Sequence, residues 1–194
     1  MPSVPLSASE RRKRSLIVCC NFARNLAVYR TGITDGRHLL DAAMPQSFFW
    51  RQINANSIDI CILEWCKLFG ELNGHHNWSR VISEANRDDF ERGLLEAVDM
   101  SKAEFASYTR GIREYRDWFV AHLDDERVMN IPELETARES VWHLYGFLAW
   151  NECTPEELGD LAHSKRELDV GYEKCVIEAR EVFRIAETHI GESE

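Results

Sequence analysis

The stretch Ile112–Glu126, with the sequence IREYRDWFVAHLDDE, places a guanidinium, an imidazole and several carboxylates close together on one predicted helix. Arg116 is followed at once by Asp117, and His122 lies six positions after Arg116. Histidine moves protons near neutral pH, and arginine carries a fixed charge on a planar fork that suits phosphate oxygens. These residue types indicate acid–base or phosphate chemistry.

Helical geometry limits what one copy of this stretch can do. Six positions on a straight helix correspond to about 9 Å of rise and about 120° of rotation, so Arg116 and His122 flank a site more than they share one. A second protomer that met this surface about a two-fold axis would place two such sets in one cleft. That cleft would suit attack of an RNA 2′-hydroxyl on its own phosphate, with His122 moving protons, Arg116 stabilising the developing charge and no metal required.

A structural role for the same residues remains open. His122 could stack over the aromatic side chains one turn earlier on the helix, while Arg116 and Asp117 form solvated ion pairs. That arrangement would need no ligand. Residue types alone do not separate it from a catalytic site.

Histidine follows arginine at a similar spacing elsewhere in the chain. His143, five residues after Arg138, lies among large apolar residues and is predicted to be a core or boundary residue. His189, five residues after Arg184, lies near the end of the last predicted helix, where an imidazole complements the helix dipole. The adjacent pair His75–His76 has no third residue at metal spacing, and neighbouring side chains point in different directions, so we predict no metal site there.

The chain has 194 residues and a net charge of −10, and its length suffices for one domain that needs no metal or disulfide. The net charge argues against a protein that coats nucleic acid electrostatically. The charge is uneven, however: residues 1–37 carry seven basic and two acidic residues, whereas residues 151–194 carry five and twelve. A local basic face could therefore still bind phosphate, although an ordinary solvated surface shows the same asymmetry.

The six cysteines lie inside apolar helical patterns, no CxxC pair is present, and no secretory signal precedes them. We therefore expect reduced, mostly buried thiols in a cytoplasmic protein. No apolar run approaches the roughly 20 residues of a membrane span, so we expect no membrane partner. Nothing in the residue pattern calls for a cofactor.

Apolar residues at helical spacing, together with capping signals, predict about five principal helices. They are expected near residues 10–29, 45–70, 101–126, 132–150 and 158–189, with short helical pieces at 78–85 and 88–98 and a possible division near residue 164. No useful stretch alternates with period two. The predicted fold class is all-α, a bundle of antiparallel neighbours forming a single domain at residues 10–190 after a flexible N-terminus at 1–9.

Local charge patterns add detail to these helices. Ser101–Glu104 and Thr154–Glu157 each have the sequence of a capping box, which marks a helix start. On the helix that begins near Ser101, Arg110 with Glu114 and Arg113 with Asp117 are spaced for ion pairs. The basic run Arg11–Arg14 opposes the dipole of the first helix, so we expect it to be simply solvated.

The segment RDWFVAHLD, from Arg116 to Asp124, resembles the signature of the HEPN superfamily of small helical-bundle proteins, found in prokaryotic conflict systems and some eukaryotic RNases. That signature is an arginine, commonly followed by a polar residue, and then a histidine a few positions later. The Ala-His-x-Asp ending and the upstream helix Ile62–Phe69 are similar to the abortive-infection U-type branch. The predicted order of helices is compatible over residues 10–190, while the specific match is confined to the residues around Arg116 and His122.

The resemblance implies a homodimer whose two motifs face each other, and a metal-independent endoribonuclease of a defence or toxin–antitoxin type. In that scheme Arg116 and His122 are catalytic, Asp117 orients Arg116 or the helix start, and Arg113 helps bind phosphate. It also implies a possible antitoxin or other partner protein. Asp124 stands where some members carry a tyrosine that a partner nucleotidyltransferase modifies, so this form of regulation is not implied here.

Two other classes of function compete with this one. Many HEPN domains only bind or dimerise, and the acidic C-terminal helices of this chain would suit a non-catalytic interaction module. A helical metalloenzyme is the third, but the chain lacks the paired Glu-x-x-His motifs of a di-iron bundle.

Overall fold

The computed structural model describes residues 6–41, 47–120, 130–158 and 165–191, and every regular element within these ranges is helical. The α-helices are α1 (Ala8–Thr34), α2 (Ser47–Trp65), α3 (Trp78–Val81), α4 (Arg87–Val98), α5 (Lys102–Tyr115), α6 (Glu135–Phe147), α7 (Pro155–Leu158) and α8 (Lys165–Gly191). Short 3-10 turns form at Arg37–Leu40 and Glu84–Asn86. The predicted all-α fold class is confirmed.

Three of these helices end in π-helical turns, which the periodicity of the sequence does not indicate. Cys66–Gly70 continues α2, Arg116–Val120 continues α5, and Leu148–Glu152 continues α6. Single π-helical turns within α-helices are uncommon and occur frequently at functional sites. Two of the three turns belong to the region that contains Arg116.

The first helix is longer than predicted at both ends. Ser7 caps it: the Ser7 hydroxyl accepts from the Glu10 amide at 3.2 Å, and the Glu10 carboxylate accepts from the Ser7 amide at 2.8 Å. Residues 8 and 9, which the sequence grouped with a flexible N-terminus, thus lie in this helix, while residues 1–5 lie outside the described ranges. Gly32 lies inside the helix at a close approach to α2, where a Cβ would be only 2.2 Å from Asn54 Oδ1.

The largest hydrophobic core is one cluster to which α1, α2, α4, α5, α6 and α8 all contribute. Trp65, at the end of α2, is fully buried, and its indole Nε1 donates to Ser140 Oγ of α6 at 2.9 Å. The second helix is exposed at its start, where Phe48 and Phe49 are 72% and 59% exposed. Its later residues reach the core, and they carry the chain into the Cys66–Gly70 turn.

All six cysteines are free, as predicted. Cys19, Cys61 and Cys66 are buried and the other three are half-buried. Burial raises the pKa of every one of these thiols, so they remain protonated at neutral pH. No helix in the described part of the chain combines the length and apolar character that crossing a bilayer requires.

The basic run near the N-terminus is not simply solvated. Arg12 donates to Glu157 of α7 at 2.7 Å, and both side chains are only 18% exposed. Glu157 also accepts from the Thr154 amide at 3.0 Å, and its own amide donates to the Thr154 hydroxyl, which confirms the predicted capping box. This ion pair joins α1 to α7, and its two partners are 145 residues apart in the sequence.

The pH dependence of stability provides a test of this contact. A hydrogen bond from Ser9, assisted by the Thr154 amide and by Arg12, lowers the pKa of Glu157 to about 2 from an unperturbed value of 4.5. Its stabilising effect is therefore full above about pH 4.5 and is lost as the pH falls towards 2. We expect Glu157→Gln to lose roughly 1 kcal/mol of unfolding free energy at neutral pH, allowing for solvent screening.

Urea unfolding at a series of pH values measures this effect, and the exposed Glu84, changed to Gln, provides the matched control. The Glu157→Gln protein should show a flatter decline in stability between pH 4.5 and 2 than the control. Equal slopes in the two variants would contradict the assignment.

Candidate functional site

The candidate site lies where the π-helical turns Cys66–Gly70 and Arg116–Val120 approach each other. Helix α5 packs against the first of these turns and ends in the second. Gly70 makes the close approach possible, since a Cβ there would lie 3.2 Å from Arg113 Cγ and 3.3 Å from Cys66 Sγ. The packing of α5 on the Cys66–Gly70 turn sets the positions of Arg113 and Arg116, which are three residues apart.

Arg116 is held by carboxylates from two segments of the chain. Its Nε and Nη2 atoms lie 2.8 Å and 2.7 Å from Asp117 Oδ1, and its Nη1 atom donates to Glu71 Oε1 at 3.0 Å. The Arg116 side chain is 17% exposed, whereas Glu71 and Asp117 are 47% and 52% exposed. A rather buried guanidinium is thus fixed between two accessible acids.

The charge of Arg116 is secure in this setting. Partial burial lowers the pKa of Arg116, but the hydrogen bond to Asp117 and the nearby Asp117 and Glu71 carboxylates raise it by more, so the pKa lies above its ordinary value. A phosphate that approaches Arg116 must compete with Glu71, which lies in the loop after the Cys66–Gly70 turn and accepts one hydrogen bond from Arg116. The Asp117 contact orients the guanidinium from the neighbouring position.

The ion pairs predicted along α5 do not form. Asp117 contacts Arg116 instead of Arg113, and within the described residues Arg110, Arg113 and Glu114 take part in no ion pair. The π-helical turn starts at Arg116 and changes the α-helical register where Asp117 would have met Arg113. Arg110 and Glu114 both lie in α5 before that turn, and nothing in the structure explains why they do not pair. Two exposed arginines on α5 therefore keep their donors available for a ligand.

Two neighbouring cavities open beside these arginines. One, of about 400 Å³, is a groove between α4 and α5 that reaches Gly70 and Arg113. The other, of about 490 Å³, lies over the loop Glu71–Gly74 and is also lined by Arg113. Arg113, predicted to bind phosphate, is therefore shared by both cavities, and Glu71 links the second cavity to Arg116.

Cys66 is close to this site but is not a nucleophile. Burial raises the pKa of the Cys66 thiol to about 11, although the nearby Arg116 opposes the shift. A protonated, buried thiol does not attack a substrate or bind a metal as thiolate. The chemistry available near Arg116 is therefore that of its guanidinium and of any proton-transfer group that approaches it.

His122 and Asp124 lie outside the described residues, in the segment 121–129. The structure therefore places three of the four predicted site residues, Arg113, Arg116 and Asp117. The expected separation of Arg116 and His122 along the helix stays a prediction.

Two histidines outside the motif, His143 and His76, are partly buried in the folded chain. His143 is half-buried, with Nε2 3.2 Å from the Phe90 carbonyl oxygen and its ring centroid 5.0 Å from that of Phe90, which confirms the boundary position. Burial lowers the pKa of His76, and Arg14, His75 and Lys67 lower it further. Within the described ranges, no three His, Cys, Asp or Glu side chains are grouped closely enough to hold a metal ion.

Comparisons with models of protein families, with curated protein sequences and with solved structures find no match for this chain. The assignment of a function therefore depends on the motif and on the geometry around it. Sequence reasoning missed Glu71 as the partner of Arg116, and it missed the groove between α4 and α5. The only available signal for Glu71 was its place at the start of the ELNGHHNW loop, directly after a long apolar helix.

Proposed function

We propose that this chain is a metal-independent endoribonuclease of a defence or toxin–antitoxin type, with a composite active site formed by Arg116 and His122 of two protomers. The resemblance of the Arg116–Asp124 segment to the HEPN signature suggests this activity. The observation that carries it is the anchoring of Arg116, held by Asp117 and Glu71 beside two cavities that share the unpaired Arg113.

The proposed reaction is attack of an RNA 2′-hydroxyl on the adjacent phosphorus. A bond forms between O2′ and phosphorus, the bond from phosphorus to O5′ breaks, and the products are a 2′,3′-cyclic phosphate and a 5′-hydroxyl. His122 of one protomer takes the proton from O2′. The leaving O5′ receives a proton from His122 of the same protomer or from the partner's His122. Arg116 stabilises the charge that develops on the phosphate oxygens, and Asp117 keeps the guanidinium oriented.

Dimerisation through the motif surface is part of the proposal. One protomer supplies a single Arg116 and His122, and two-fold pairing would bring a second set to the same cleft. The apolar residues Trp118, Phe119 and Val120, which follow the motif arginine in the same turn, are each only half-buried in the single chain. A second copy that covered them would remove apolar surface from water.

The test is cleavage of single-stranded RNA by the purified protein in EDTA, with analysis of the product ends. We expect cyclic phosphate ends and a sedimentation mass twice that of the 22.5 kDa chain. His122→Ala should abolish cleavage and keep the helical circular dichroism spectrum and the dimer. His38→Ala, in the 3-10 turn Arg37–Leu40, is the control and should remain active. Cleavage that persisted in His122→Ala would refute the proposed chemistry.

A non-catalytic interaction module is the second candidate, and one feature of α8 favours it. Val170, Ile177 and Ile185 are 46%, 64% and 42% exposed, and their spacing of seven and eight residues places them along one face. Leu168 and Phe183 bury a different face of the same helix. This candidate predicts a stable complex with a partner protein and no cleavage of RNA; cleavage in EDTA that requires His122 would exclude it.

A further inference from the structure

We infer that the groove between α4 and α5 is a base-binding subsite for single-stranded RNA, in which an unpaired base packs on the apolar floor while an adjacent phosphate contacts Arg113 and Arg110. The inference rests on the proposed function, because it assigns a place to the bases of the same substrate. It concerns binding, however, and can be tested without any cleavage.

The shape of the groove suits a flat, largely apolar group. Its walls are α4 and α5, and its volume of about 400 Å³ falls within the roughly 300–1,000 Å³ usual for small-molecule sites. Phe69 and Leu94 form a buried floor, and Leu72 from the neighbouring loop, 68% exposed, stands at its edge. A base bound here would be shielded from water on several of its sides.

Two aromatic side chains of the groove remain partly open. Trp78 and Phe105 are half-buried and both line the cavity. Phe105 packs edge-on against the buried Phe69, with ring centroids 6.0 Å apart. Aromatic faces that are accessible and held in place by the core are the platforms on which single-stranded nucleic acids stack their bases.

The charges along the groove favour an anionic occupant at one end. At the far end Lys102 is neutralised by Glu91, 2.7 Å away. At the end of the groove next to the Glu71–Gly74 loop, about 16 Å further along α5, lie Arg110 and Arg113, one turn apart. These two arginines have no ion-pair partner among the described residues. In a chain with net charge −10, this concentration of unpaired positive charge beside an apolar floor complements a base followed by a phosphate.

The groove also continues to the candidate catalytic arginine. Arg113 and Gly70 line both the groove and the cavity over Glu71–Gly74, and Glu71 is bound to Arg116. An RNA strand with one base in the groove could therefore pass its next phosphates over Arg113 towards Arg116. A neutral apolar peptide would fill the floor but would leave the two arginines without a partner.

The test measures binding of a short mixed-sequence single-stranded RNA in which every ribose carries a 2′-O-methyl group, so that 2′-hydroxyl attack cannot occur. Ala106, an exposed residue of α5 that lines the groove, is changed to Trp to fill it. Ala103, exposed on the same helix and not lining the groove, is changed to Trp as the matched control. We expect binding about tenfold weaker for Ala106→Trp, the loss typical of one stacked base, and unchanged for Ala103→Trp.

A second probe separates base from phosphate contacts. It has the same backbone with abasic riboses, and Ala106→Trp should bind it as well as the unmodified protein does. Arg113→Ala should weaken binding of both probes and reduce the salt dependence by about one phosphate contact. The control for that change is Arg87→Ala, an exposed arginine at the start of α4, which should leave the salt dependence unchanged.

Several results would overturn the inference. The first is the absence of RNA binding, and the second is equal binding by Ala106→Trp and Ala103→Trp. The third is an Ala106→Trp protein that no longer dimerises but binds RNA normally. That result would show that a second copy of the chain fills the groove. Weakened binding in Ala106→Trp without any cleavage by the unmodified protein would support the inference and refute the proposed enzyme. If cleavage requires His122, and neither cleavage nor RNA binding is changed by Ala106→Trp, the proposed enzyme would be supported and the base-binding subsite refuted.

Discussion

Arg116→Ala protein is expected to cleave single-stranded RNA about a thousand-fold more slowly than the unmodified protein, since loss of one preorganised group that stabilises transition-state charge typically costs about 10²–10³ in rate. The structure makes this substitution interpretable. Arg116 contacts Asp117 and Glu71, which are 52% and 47% exposed, so water can solvate both carboxylates once the guanidinium is removed. We therefore expect the loss of activity without a comparable loss of stability.

Two further variants sharpen this prediction. Arg116→Lys keeps the charge but cannot span Asp117 and Glu71 with one planar fork, so it should recover little of the lost rate. Arg138→Ala is the matched control, because Arg138 is also a half-buried arginine held by two carboxylates, Glu135 and Glu139 of α6. Single-turnover cleavage rates in EDTA provide the measurement. Rates for Arg116→Ala within a few-fold of those for Arg138→Ala would rule out a catalytic role.

Trp65→Ala is expected to lower the free energy of unfolding by about 3–5 kcal/mol, the usual cost of truncating a buried tryptophan. Trp65 is fully buried, and its ring packs with Phe69, Phe105 and Tyr108 at centroid distances of 5.2, 6.3 and 5.6 Å. The substitution would also leave Ser140 Oγ without the donor it now accepts from. Urea unfolding followed by circular dichroism measures the change.

The control for this prediction is Trp150→Ala in the π-helical turn Leu148–Glu152. Trp150 is 73% exposed, and surface substitutions usually change stability by no more than about 0.5 kcal/mol. A third variant, Ser140→Ala, leaves the buried indole N–H of Trp65 unpaired and should cost about 1–3 kcal/mol. Similar losses for Trp65→Ala and Trp150→Ala would show that the core is not organised around Trp65.

The features that the sequence predicted correctly depend on neighbours a few residues apart. Ser101 and Glu104 form the predicted capping box, with the Ser101 amide donating to Glu104 Oε2 at 2.8 Å. Apolar residues at helical spacing mark the core-facing positions of α6, where Val141 and Leu144 are completely buried. The relevant groups lie within one or two turns, so local stereochemistry is enough to place them.

The errors occurred where a distant segment overrides the local pattern. The first helix, expected to end near residue 29, continues through Gly32, where glycine is needed because α2 approaches α1 closely at Asn54. Arg12 was predicted to be solvated, yet it forms an ion pair with Glu157 of α7, 145 residues later in the sequence. In each case the deciding contact joins residues far apart in sequence, and no pattern of one segment contains it.

For the candidate site, the sequence by itself determined which groups are present and that Arg116 and Asp117 are adjacent near the end of a helix. The RNase activity, the pairing of two motifs and the role of His122 stay predictions from the HEPN resemblance. Only the tertiary structure decided that Glu71 holds Arg116 and that Arg113 opens onto two cavities. Both contacts form because α5 packs on the Cys66–Gly70 turn, where Gly70 leaves room for the Arg113 side chain. The two segments are distant in the chain, so the residue pattern of neither segment predicts this packing.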